Sequence, residues 1–163
     1  MCNSEITADD TNQPATIFSI RSLEDSDFDQ IAQMNKELIE DEGHTNPMNL
    51  AELKERLHHF VSRDGWTVDV FTSNLMIIGY ATYRLEANIS KINDTTIHIR
   101  QFYITRSQRG KGMGRRAYRL LIESQQQAPK RILIEVLETN PGGKAFWSRI
   151  GFTPYAMSME TCL

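Results

Sequence analysis

Apolar residues recur along the chain with two different periods, and the element type changes where the period changes. Thr16–Arg21 (TIFSIR) alternates apolar and polar positions and predicts a first strand. Phe28, Ile31, Ala32, Met34, Leu38 and Ile39 then repeat at helical spacing, behind an Asp25 or Ser26 able to cap the helix. Gly43 and Pro47 in the run DEGHTNP (41–47) stop that helix near Glu40. Leu50, Leu53, Leu57, Phe60 and Val61 mark a second amphipathic helix. From Trp66 the period drops to two: Trp66, Val68 and Val70 alternate with Thr67 and Asp69, Ser73-Asn74 turns the chain, and 75–85 returns as the antiparallel partner. Residues 95–105 (TTIHIRQFYIT) form a third β-rich run, in which a bulge would exchange the faces. After the glycine-rich segment 109–114 a helix runs to about Gln126, with Met113, Ala117, Leu120 and Leu121 along one face. Residues 131–137 (RILIEVL) are apolar on both faces, as in a central strand. A short helix over 143–150 ends at Gly151, and 152–159 reads as a last strand.

This order, β-α-α-β-β-β-α-β-α-β, predicts an α/β fold with one mixed sheet of about six strands and four helices. Residues 1–15 are polar, aperiodic and interrupted by Pro14, so they read as a loose tail ahead of a single domain over 16–163. A chain of 163 residues with 40% apolar residues can bury a core without staples. The longest charge-free stretch, 70–83, is broken by Ser73-Asn74 and is too short to span a bilayer, and MCNSEITADD lacks the basic and apolar parts of a secretory leader. No membrane partner and a cytoplasmic location are expected. Cys2 and Cys162 stand at opposite ends with no CxxC or paired histidines, so they read as free thiols and no metal site is expected.

The net charge of −3 argues against a nucleic-acid partner, but it averages over a contrast. Residues 1–30 carry seven acids against Arg21 alone, whereas 106–119 carry Arg106, Arg109, Lys111, Arg115, Arg116 and Arg119 with no acid. Within that basic segment a strand runs through Arg109-Gly110-Lys111-Gly112-Met113-Gly114-Arg115 into a helix. Glycines let a ligand approach the backbone, and a helix start offers unpaired N–H groups with positive partial charge. Together with Arg109, Lys111 and Arg115 this makes a phosphate cradle, or equally a basic solvated turn if read alone. The P-loop spacing fails because Gly112 follows Lys111, and the dinucleotide GxGxxG spacing fails because glycine recurs every second residue.

Arg109, Gly112 and Gly114 match [RQ]xxGx[GA], and further on Asn140 precedes Phe146-Trp147-Ser148-Arg149-Ile150-Gly151-Phe152, a variant of FYxxxGF. With these two motifs in this element order, residues 16–159 resemble the GNAT superfamily of acyl-CoA-dependent N-acyltransferases. The resemblance implies a splay between the two central parallel strands, and acetyl-CoA as acyl donor. It places the pyrophosphate on the turn Arg109–Arg115, the pantetheine arm along Phe102, Tyr103 and Ile104, and Asn140, Gly143, Phe146 and Trp147 on the cofactor's other side. Backbone donors near Ile104 would polarise the acetyl carbonyl. It further implies an amine acceptor attacking in a ternary complex, and a monomer or a homodimer.

Trp147 stands where many members carry the tyrosine that protonates the leaving thiolate. An indole N–H is no proton source near neutral pH, so Tyr103 or Tyr155 substitutes, or the thiolate leaves with solvent help. The departure also leaves a non-catalytic acyl-CoA-sensing module as an alternative. His98, at the place of a family glutamate, and Glu135, an acid in an apolar run, are the candidate bases. Between the first two helices, Glu40, Asp41, Glu42 and His44 form an acidic loop; Glu42 and His44 are the candidates for holding a cationic amine acceptor.

Overall fold

The computed structural model describes residues 17–87, 94–159 and 161. The expected tail over 1–15, Cys2 and Cys162 lie outside them. The elements follow the predicted order: β1 (Phe18–Ser22), α1 (Phe28–Asp41), α2 (Leu50–Ser62), β2 (Thr67–Ser73), β3 (Met76–Ala87), β4 (Thr95–Ile104), α3 (Met113–Glu123), β5 (Arg131–Ile134) and α4 (Pro141–Arg149). One sheet has the order β1-β2-β3-β4-β5, antiparallel except for the parallel pair β4–β5. Helix α3 makes the crossover between those two, as parallel neighbours require.

Each face of the sheet is covered by its own pair of helices. Phe28, Ile31, Met34, Leu38 and Leu57 of α1 and α2 pack with Val68, Val70, Tyr80 and Tyr103 on one face. Ala117, Leu121 and Trp147 of α3 and α4 pack with Phe71, Ile97, Ile99 and Ile104 on the other. The faces of β4 hold together only through a bulge. Tyr83 pairs with Ile99 and Thr82 with Gln101, so Arg100 is the extra residue. Without it Ile97 and Ile99 would share a face with Gln101 and Tyr103. With it, Ile97, Ile99, Phe102 and Ile104 all reach the α3–α4 layer.

The described residues form five strands, not about six, and β5 is a short edge strand instead of a long central one. Residues 152–159 leave the end of α4 without joining the sheet: Phe152 turns inward onto Trp147 and Tyr118, while Tyr155, Met157 and Met159 stay exposed. No further strand among the described residues pairs with the outer edge of β5, and its burial is only partial. Pairing between β4 and β5 covers Thr96–Ile99 against Arg131–Ile134, and β4 continues to Ile104 alone on that side. No described helix is long and apolar enough to cross a membrane. No cluster of three or more metal-ligating side chains occurs among the described residues.

The entry to α1 is fixed by a buried carboxylate. Asp27 receives a two-pronged hydrogen bond from Arg21 at 2.7 and 3.1 Å and another from the Glu24 N–H at 2.8 Å. The Arg21 guanidinium holds the Asp27 carboxyl below its ordinary value of 3.8. A carboxylate lowered on folding stabilises the fold fully above the unfolded value, and that contribution is lost as pH falls through the folded one. Denaturation of Asp27→Asn across pH should therefore show lower stability at neutral pH and a shallower decline below about pH 4. Two parallel curves would contradict this.

Candidate functional site

The glycine-rich turn joins the end of β4 to α3 through a short helical turn, Arg106–Gln108. Gly110 and Gly112 take φ of +75° and +77°, a region that costs a side-chain-bearing residue about 1–2 kcal/mol. Gly112 is the N-cap of α3 and supplies no side-chain cap. From Gly110 through Arg115 no backbone N–H finds a protein acceptor among the described residues; Arg116 is the first that does, at 3.2 Å from the Gly112 carbonyl. Six successive donors thus sit at the positive end of a helix with Lys111 and Arg115 beside them. This donor set fits an anion such as a pyrophosphate.

Gly114 serves packing. A Cβ there would lie 2.9 Å from the Phe146 ring, so α3 and α4 meet only because none is present. Phe146 stacks on Phe102 with centroids 6.1 Å apart, linking the turn, β4 and α4. Trp147 is buried in the same cluster, 5.3 Å from Phe102, 5.9 Å from Tyr118 and 5.0 Å from each of Phe146 and Phe152. Asn140 caps α4, its Oδ1 accepting from the Gly143 N–H at 2.8 Å, and Pro141 follows at the first helical position.

Arg109 is turned away from the row of free N–H groups. Its Nε donates to the Ile104 carbonyl at 2.8 Å, a terminal nitrogen donates to Asp41 at 2.6 Å, and the guanidinium lies 5.0 Å from the centre of the Tyr103 ring. Arg106 binds Asp41 at 3.0 Å and Glu40 at 3.1 Å. So two of the three acids at the end of α1 face two of the turn's own cations, a pairing across 65 residues that no local pattern announces. Glu42 is left half-buried, and burial followed by the nearby Asp41 charge raises its carboxyl above the ordinary value. Its backbone carbonyl accepts from Thr139 Oγ1 at 2.5 Å, which ties the α1–α2 loop to the loop before α4. His44 is exposed beside it.

The two candidate bases meet. His98 projects from β4 edge-on to Trp66, with Nδ1 3.4 Å from Glu86 and Nε2 3.9 Å from Glu135, whose side chain is largely exposed. Tyr103 lies elsewhere. Its hydroxyl donates to Glu37 of α1, and burial together with that carboxylate raises its pKa strongly. Such a phenol keeps its proton and is poorly matched to a thiolate of pKa about 8.5. Tyr155 is exposed beside Arg131, 4.2 Å from ring centre to guanidinium. Sequence reasoning missed the Arg106–Arg109–Asp41 cluster and Arg100; the adjacent polar pair Arg100-Gln101 inside an alternating strand was the available signal for the bulge.

A family model described as an acetyltransferase (GNAT) domain matches residues 20–161. The chain belongs to the GNAT acetyltransferase family. No curated protein matches the sequence. Among solved structures, a GNAT family acetyltransferase from Staphylococcus aureus is 23% identical with a TM-score of 0.66, covering 90% of this chain and 98% of its own. An acetyltransferase from Trypanosoma brucei is 21% identical with a TM-score of 0.64, covering 90% and 100%. An aminoglycoside N-acetyltransferase in complex with CoA is 9% identical with a TM-score of 0.69, covering 91% and 95%. At these identities the likeness shows a GNAT fold. Family membership makes acyl-CoA-dependent acetyl transfer the general chemistry of the domain.

Proposed function

We propose that the protein moves an acetyl group from acetyl-CoA to a primary amine of a small molecule or peptide, by direct attack in a ternary complex. The observation that carries the reading is the row of unpaired N–H groups from Gly110 to Arg115, standing at the end of a strand whose outer edge opens beyond Ile99. The row would receive the pyrophosphate, with Lys111 and Arg115 balancing its charge. Past Ile99, alternate residues of β4 turn their N–H and C=O groups to the side that β5 has left. Thr105 donates to Ile78 of β3, so Tyr103 also turns its backbone groups to β3. Phe102 with the Ile104 N–H would face the pantetheine arm, where a donor would polarise the acetyl carbonyl. We read this opening as the splay that admits the thioester. Asn140, Gly143, Phe146 and Trp147 form its far wall by fixing α4.

His98 is the proposed base, with Glu135 3.9 Å from its Nε2, beyond direct hydrogen-bond reach and placed to relay a proton through water. The amine nitrogen forms the new C–N bond as the C–S bond breaks, its proton passes to His98, and solvent protonates the thiolate. Tyr103 acts here as a buried prop under Arg109. Glu42, half-buried and without a cationic partner among the described residues, is the proposed partner of the cationic amine, beside His44. Glu42→Gln should raise the acceptor KM about tenfold, the size of one charge-assisted hydrogen bond, and leave acetyl-CoA affinity unchanged. Equal loss of both would remove that assignment.

Thiol release from acetyl-CoA, measured across a panel of amines, tests the reading. The expected result is amine-dependent release. Binding of acetyl-CoA with no release for any amine would replace transfer by the sensing alternative.

A further inference from the structure

A cluster of three arginines lies where β4 parts from β5, on the α1–α2 side of the sheet. Arg84 and Arg100 both face Trp66, with guanidinium-to-ring distances of 4.6 and 5.4 Å. Arg100 and Arg56 both face Phe60, at 5.1 and 5.6 Å. Arg84 is matched by Glu86 at 2.7 Å. Arg56 and Arg100 have no carboxylate within 4 Å among the described residues. Among the described residues the only polar partner of Arg56 is neutral, the Asn35 Oδ1 at 2.6 Å, and the Asn35 amide in turn donates to the buried Tyr80 hydroxyl at 2.8 Å.

Two like charges gathered on one aromatic ring without an acid are costly, and more so as solvent is excluded. The protein already holds Arg56 at that cost: burial, and then the Arg100 charge, lower its pKa. Contact with an aromatic face returns less than an oxyanion accepting from the same nitrogens would. The position is not arbitrary. Arg100 is the bulge residue, one step beyond the last β4–β5 pair at Ile99, and shares Trp66 with His98.

We propose that Arg100 and Arg56 form a subsite for an oxyanion carried by the acceptor itself, so that the preferred substrate is a primary amine bearing a carboxylate or phosphate. This inference rests on the acetyl-transfer reading above. Guanidinium groups fit both oxyanions through paired N–H donors, so the shared chemistry is the anion and the assay separates its sources. With Glu42 as the proposed partner of the amine, an acceptor carrying both charges is favoured over a simple polyamine.

The test compares kcat/KM within two pairs of acceptors: an amino acid against the amine left by its decarboxylation, and phosphoethanolamine against ethanolamine. The anionic member of at least one pair should be preferred about 10- to 100-fold, and the preferred pair names the anion. Arg100→Gln, at an exposed position, should raise KM for that member by the same factor, with the uncharged amine and the acetyl-CoA dissociation constant unaffected. Equal or better turnover of the uncharged amines would overturn the subsite. If acetyl-CoA binds but no amine is turned over, transfer itself fails, and the subsite is then judged by Trp66 fluorescence alone. Titration with an N-acetylated amino acid and with N-acetylphosphoethanolamine should give a saturable change with at least one, absent in Trp66→Phe and in Arg100→Gln. No saturable change with either would refute the subsite independently.

Discussion

Trp147→Ala should cost about 3–5 kcal/mol in a chemical-denaturation experiment, the range for deleting a buried tryptophan. The residue is 7% exposed and touches Phe102, Tyr118, Phe146 and Phe152, which between them belong to β4, α3, α4 and the segment after α4. Removing it leaves a cavity bordered by rings that cannot all collapse inward. A loss under about 1 kcal/mol would contradict the packing role. The companion variant Trp147→Tyr separates packing from chemistry. If this position lacked only a proton donor, tyrosine would accelerate thiol release; the expected result is no acceleration, because the side chain at 147 is enclosed by aromatic neighbours.

Gly114→Val should weaken acetyl-CoA binding about 100-fold while lowering stability by about 1–3 kcal/mol. The added Cβ would stand 2.9 Å from Phe146. Either Phe146 swings out of its stack with Phe102, or α3 tilts away and carries its uncapped N–H groups with it. Both displace the cradle relative to β4. Gly110→Ala is the control, since nothing lies within 4 Å of a Cβ there and only the positive φ is strained. Isothermal titration of both variants checks the ordering. A Gly114 variant binding as tightly as Gly110→Ala would remove the packing argument.

Local periodicity carried most of the architecture, because the helices α1, α2 and α3 and the hairpin β2–β3 each bury one face against a neighbour. It misled at β5. RILIEVL is apolar enough for a central strand, yet centrality depends on a further strand reaching its free edge, and 152–159 commits Phe152 to the Trp147 cluster instead. The turn was legible because glycine and cation spacing are local properties. Its first arginine was not: Asp41 and the Ile104 carbonyl capture Arg109, and only the meeting of α1 with the end of β4 brings them together. The same holds for Arg56 and Arg100, which lie 44 positions apart and meet only across Phe60.

The central claim is that the donor row from Gly110 to Arg115 holds the phosphates of acetyl-CoA. Titration calorimetry with acetyl-CoA tests it most directly, with desulfo-CoA and inorganic pyrophosphate as competitors and Lys111→Ala and Arg115→Ala as variants. The account predicts saturable one-to-one binding below the millimolar range, competition by both anions, and weakening in each variant. Absence of binding at millimolar acetyl-CoA, or binding indifferent to pyrophosphate and to both substitutions, would contradict it.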